Sequence, residues 1–121
     1  MTITFPDELS YIGDESFYNC KSLENIIIPS GVSQIGKNSF YSCTNASFIK
    51  FLGSPKTINE SAFGFCLSAT SIIFPQEFTS IISYEMFIGC SNLTSITIPE
   101  GATKISEYSF GSCSKLRIVI I

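Results

Sequence analysis

The chain has 121 residues, one domain's worth, with 45% hydrophobic residues, 14% charged residues and a net charge of -3. That charge is too small, and of the wrong sign, for a nucleic-acid surface with its clustered basic patch, and the composition is too apolar for disorder. The absence of histidine removes the Ser-His-Asp and Cys-His nucleophile systems and most zinc sites.

At the head of the chain, residues 1–13 have neither the basic nor the apolar region of a signal peptide. Ile3, Phe5, Pro6 and Leu9 stand 23 residues before Ile26, Ile28, Pro29 and Val32, so a repeat is already under way. Next comes Ile12-Gly13-Asp14-Glu15-Ser16-Phe17-Tyr18-Asn19-Cys20. It is too short for a long helix and is expected to form a helical or 3₁₀ turn with Phe17 and Cys20 on one side. Gly13, Gly36 and Asn59 share one column and suit a tight turn with positive φ, whereas Ser83 and Ser106 at that place suit it less. Leu23 follows, and then a strand in which Ile26 and Ile28 alternate with Asn25 and Ile27, the period of a strand with one face buried. Pro29 ends it, since proline cannot donate to a ladder.

The rest of the chain repeats this unit. Cys20, Cys43, Cys66, Cys90 and Cys113 are spaced 23, 23, 24 and 23 residues apart, and Phe17, Phe40, Phe63, Phe87 and Phe110 precede them by three. Ile12, Ile35, Ile58, Ile82 and Ile105 precede each phenylalanine by five. Downstream columns read Leu23, Ala46, Ala69, Leu93, Leu116; then Ile26, Ile49, Ile72, Ile96, Val119; then Ile28, Phe51, Phe74, Ile98, Ile121. The 24-residue interval comes from one extra residue within 78–82. Residues 1–121 are therefore read as a single leucine-rich-repeat solenoid of about five 23-residue repeats, mainly β, with a parallel strand ladder.

The motifs I-G-x-x-S-F-x-x-C, at 12–20, and L-x-x-I-x-I-P, seen as Leu93-Thr94-Ser95-Ile96-Thr97-Ile98-Pro99, resemble the Treponema-type, BspA-like family of leucine-rich repeats over the whole chain. Ala46 and Ala69 for leucine, Leu52 for proline, and Ser54 and Glu77 for glycine depart from the pattern. Stacked turns should lie about 4.8 Å apart. The phenylalanines then form an interior ladder, offset-stacked or edge to face, and the cysteines act as small buried residues with weak S–H donors. A metal site is not expected, since the spacing lacks C-x-x-C and no histidine is present, and disulfides between adjacent turns are not expected because stacked rungs set the Cβ vectors side by side and not toward each other. No cofactor is expected.

The outward rows of the strand ladder read Thr2, Asn25, Phe48, Ser71, Ser95, Ile118 and Thr4, Ile27, Lys50, Ile73, Thr97, Ile120. Solenoid sheets are the usual binding surfaces of repeat proteins, and Ile27, Phe48 and Ile73 put apolar groups on neighbouring turns; strand propensity alone also places such residues there. The candidate protein-binding residues are Asn25, Ile27, Phe48, Lys50, Ser71, Ile73, Ser95 and Thr97. The ten acids are scattered over turn columns and form no convincing catalytic pair. The sequons at Asn45, Asn59 and Asn92 stand against roughly one or two expected by chance in a chain rich in serine and threonine, and are weak evidence for glycosylation.

The expected function is a non-enzymatic protein-interaction module without nucleic-acid partners or a membrane span. The resemblance implies a cell-surface or secreted antigen or adhesin that binds host or matrix proteins. An intracellular scaffold in the cytoplasm is the alternative, and five thiols suit a reducing compartment. The bare final strand, Arg117-Ile118-Val119-Ile120-Ile121, points to a fragment of a longer array, a degenerate product, or end-to-end self-association through that strand.

Overall fold

The computed structural model describes residues 3–120, Val119 and Ile120 by their backbone only; Thr2, Ile121 and those two side chains lie outside the described residues. Among the described residues, eight short strands form two parallel ladders. β2 (Ile26–Ile28), β4 (Phe48–Phe51), β6 (Ser71–Ile73), β7 (Ser95–Ile98) and β8 (Arg117–Ile120) make a five-stranded sheet in that order. β1 (Tyr11–Ile12), β3 (Gln34–Ile35) and β5 (Thr57–Ile58) make a three-stranded one. Every pair is one turn of about 23 residues apart, as in Ile26↔Ile49↔Ile72 and Ile12↔Ile35↔Ile58. The chain is a solenoid of about five turns, as the column spacing requires.

The inward columns fill the interior. Phe17, Phe40, Phe63, Phe87 and Phe110 stack with centroids 5.1, 5.3, 5.6 and 5.6 Å apart and nearly parallel planes, and Phe5 closes the lower end edge-on at 5.5 Å. This is the offset-stacked arrangement rather than the edge-to-face one. Ala46 and Ala69 are fully buried. The turns in which they replace leucine also carry Phe51 and Phe74 in place of isoleucine, and those rings reach Phe63 and Phe87 of the neighbouring column. Lost volume at one position is thus met by added volume in the same turn, which is how cores tolerate substitution.

The arc expected as a helical or 3₁₀ turn contains no helix; it is a run of turns with its own ladder. The N–H groups of Glu15, Phe17 and Asn19 donate to the carbonyls of Lys37, Ser39 and Tyr41 one turn on, at 2.9, 2.8 and 2.7 Å. Those of Ser16 and Tyr18 stay in the turn and reach Gly13 and Glu15. Alternation of this kind needs residues of opposite hand, and the positive φ falls on Glu15, Asn38, Ser61, Glu85 and Tyr108 and again on Asn19, Ser42, Phe65, Gly89 and Ser112. The positive φ expected at Gly13, Gly36 and Asn59 is therefore two residues out of place. Gly36 is required by proximity instead: a Cβ there would lie 2.4 Å from the Asp14 nitrogen.

The last strand corrects the column assignment once more. β8 pairs as Ile96↔Ile118 and Thr97↔Val119, not as Ile96 with Val119. A one-residue shift exchanges the two faces of a strand, so Ile118 belongs to the inward column and not to the outward row, although it remains 46% exposed at the end of the stack.

Candidate binding face

The solvent side of the five-stranded sheet carries the sequence-predicted residues. Register joins Phe48, Ser71 and Ser95 in one row and Ile27, Lys50 and Ile73 in the next. Asn25 stands half-buried just before β2 and outside the registered pairs. Ile27 and Ile73 are 36% and 43% exposed, Phe48 and Lys50 are half-buried, and Ser95 and Thr97 are exposed. The apolar groups thus lie on adjacent strands around the Lys50 stem.

Thr97 does not join its row. Pairing between β6 and β7 stops after Ser71↔Ser95 and Ile72↔Ile96, so the rung that would join Ile73 to Thr97 is open. A groove of about 770 Å³ lies there, lined on the strands by Ser71, Ile73, Ser95 and Thr97 and beyond them by Phe74, Gln76, Pro99, Glu100 and Gly101. Its volume is in the range of ligand pockets. The residues beyond the strands were absent from the sequence-predicted set; the one signal that pointed to them was the 24-residue interval.

The extra residue sits between Phe78 and Ile82. The three-stranded ladder ends at β5, just before it, and resumes only as the single bridge Ile82↔Ile105. Side-chain hydroxyls cover the gap: Ser83 Oγ donates to the Ile58 carbonyl and Ser80 Oγ to the Pro55 carbonyl. Ser54 Oγ lies 3.0 Å from Ser80 Oγ and accepts the Thr79 N–H at 2.9 Å.

The opposite, arc side holds a shallower polar basin of about 400 Å³ among Tyr18, Lys37, Tyr41, Glu60, Ser61 and Glu85. Its acids are committed: Glu60 pairs with Lys37 Nζ at 3.0 Å and Glu85 accepts from Ser61 Oγ at 3.0 Å. The hydrogen bond and charge of Glu60 hold the Lys37 ammonium above its ordinary pKa. The groove carries a single carboxylate, Glu100.

All five cysteines are free thiols. Cys43, Cys66, Cys90 and Cys113 each point Sγ at the carbonyl of the phenylalanine one turn back, at 3.3, 3.4, 3.4 and 3.2 Å. Burial pushes the Cys43 thiol up to about 12, so it is a packing group and a weak donor rather than a nucleophile. No group of three or more Cys, Asp or Glu side chains is placed to hold a metal ion among the described residues, and no described helix is long and apolar enough to cross a membrane.

Comparison with known proteins agrees with this geometry. No curated protein matches the chain. Among solved structures, a leucine-rich repeat protein of T. pallidum superposes with a TM-score of 0.79 at 28% identity, over 91% of this chain and 51% of its own. A leucine rich cell surface protein of Faecalibacterium prausnitzii gives 0.69 at 30% identity, over 94% of this chain and 27% of its own. A leucine-rich repeat protein of Bacteroides ovatus gives 0.61 at 26% identity, over 97% and 36%. The chain thus spans about half the length of the first and about a quarter to a third of the others. The BspA type leucine rich repeat region matches residues 1–121 in six copies. With the strand ladder, the phenylalanine column and the turn length all in agreement, the chain belongs to the BspA-type leucine-rich repeat family.

Proposed function

We propose that the chain is a non-enzymatic protein-interaction module that engages its partner through the solvent side of the five-stranded sheet. The observation that carries this reading is the run of exposed and half-exposed apolar side chains, Ile27, Phe48 and Ile73, on three adjacent strands held rigid by the ladder beneath. The partner class we favour is a protein outside the cell, in line with the cell-surface protein of Faecalibacterium prausnitzii that shares the fold. Protease shaving of intact cells expressing the tagged chain, with a cytosolic marker as control, tests the location. Loss of the tag with the marker intact is the expected result, and solid-phase binding to matrix proteins follows, with Phe48→Asp and Ile73→Asp abolishing any signal. A tag protected until lysis would overturn the surface reading.

Five free thiols favour a second reading, an intracellular scaffold. It predicts that the tag stays protected and that the same two variants break a cytosolic complex.

A further inference from the structure

At the open rung between β6 and β7 the sheet face becomes a groove, and its lining has a definite chemistry. Ile73, Phe74 and Pro99 give apolar walls, Ser71, Ser95 and Thr97 give hydroxyls along the strands, and Glu100 is the single ionised group. Glu100 is exposed and forms no ion pair among the described residues. We propose that this groove receives a short extended peptide segment of a partner protein, one that carries a basic side chain beside an apolar one. The inference rests on the reading of this sheet face as the interaction surface and adds which end of it is used and by what.

Three observations converge on that occupant. First, β6 and β7 share no registered pair beyond Ile72↔Ile96, and the groove of about 770 Å³ opens where that ladder stops, a volume in the range of ligand pockets. Second, the walls are apolar where the strands end and polar along the strands, which suits an apolar anchor flanked by main-chain contacts. Third, the lone carboxylate lies in the turn at the end of β7, on a chain of net charge -3, so charge complementarity selects a cation and disfavours an acidic segment. Lys50, the registered partner of Ile73 on β4, adds repulsion against a cation at the other side of Ile73 and sets the direction of the pair.

The test uses the whole chain and a random heptapeptide library displayed on phage. Enriched peptides are synthesised and titrated by fluorescence anisotropy against the parent chain, Glu100→Gln, Thr97→Arg and Ile27→Asp, each checked for folding by circular dichroism. The proposal expects enrichment of Lys or Arg next to or one residue from a bulky apolar residue. It expects about tenfold weaker binding to Glu100→Gln, the loss of one charge-assisted contact, no measurable binding to Thr97→Arg, and little change with Ile27→Asp. Absence of enriched peptides, enrichment without a basic residue, or equal affinity for Glu100→Gln overturns it. Peptides that lose affinity only with Ile27→Asp would sink the groove and leave the face reading standing; peptides indifferent to all three variants would sink both.

Discussion

Turns one to three and the junction that follows them are written in the same motif, yet they are held together differently. Between the early turns, three ladders run side by side: the long strands, the short strands at Ile12, Ile35 and Ile58, and the alternating amides of the arc. At the junction the long strands keep two rungs and the short strands keep none. The arc crosses without a break, with Ser61, Phe63 and Phe65 donating to Tyr84, Met86 and Ile88, and so does the phenylalanine column, at 5.6 Å between Phe63 and Phe87. One extra residue is therefore absorbed on one side of the solenoid and leaves the other side unaware of it. The carbonyls freed on the disturbed side are not abandoned, because Ser80 and Ser83 supply hydroxyls to them, as buried carbonyls require.

What both regions share is the phenylalanine column, and its loss should be felt most. Phe63 is fully buried between Phe40 and Phe87, so Phe63→Ala should cost about 3–5 kcal/mol in chemical denaturation, a large part of the total stability of a domain this size. A loss below about 1 kcal/mol would mean the column is not what joins the turns. Next in size is the contrast between close-packed and open turns. A Cβ on Gly53 would stand 2.6 Å from the Ser30 carbonyl oxygen, but on Gly101, at the groove, nothing comes nearer than 3.2 Å. Gly53→Ala should cost about 1–3 kcal/mol from overpacking against backbone, while Gly101→Ala should stay within about 1 kcal/mol; equal melting temperatures for the two would erase the distinction.

Smaller effects follow from single hydroxyls. Ser80→Ala removes the hydroxyl that serves a buried carbonyl at the junction, with an expected loss of about 1–3 kcal/mol. Ser47→Ala removes an exposed bond of 3.1 Å to the Glu24 carbonyl in the regular region and should change stability by no more than about 0.5 kcal/mol. Least of all is Ser39→Ala. Ser39 Oγ is buried without a partner, and Ala62 already stands in its column. The variant should be neutral or slightly stabilising in urea denaturation; a loss above about 1 kcal/mol would reveal a bond the structure does not contain.

The regular region was legible because a stacked column forces the same residue type at every turn: Phe17 to Phe110 and Cys20 to Cys113 give the period directly, and Ile26 with Ile28 gives the buried face. The arc was not legible, since the left-handed positions are held by Glu15, Phe65 and Tyr108, residues that carry no local sign of such a backbone. The register of β8 was not legible either: residues 118–121 are apolar on both faces, so no alternation marks which side turns inward. For the binding face, the rows through Ile27, Phe48 and Ile73 followed from period two. The groove did not, because an interval of 24 locates an extra residue but not which ladder yields to it.

The alternating amides of the arc give adjacent residues different fates in time. The N–H of Phe17 is released only when two turns separate, whereas that of Tyr18 is released when its own turn loosens. Hydrogen exchange along 15–19, and again along 38–42, should therefore run slow and fast at alternate positions, each slow amide reporting the lifetime of a junction and each fast one the breathing of a single coil.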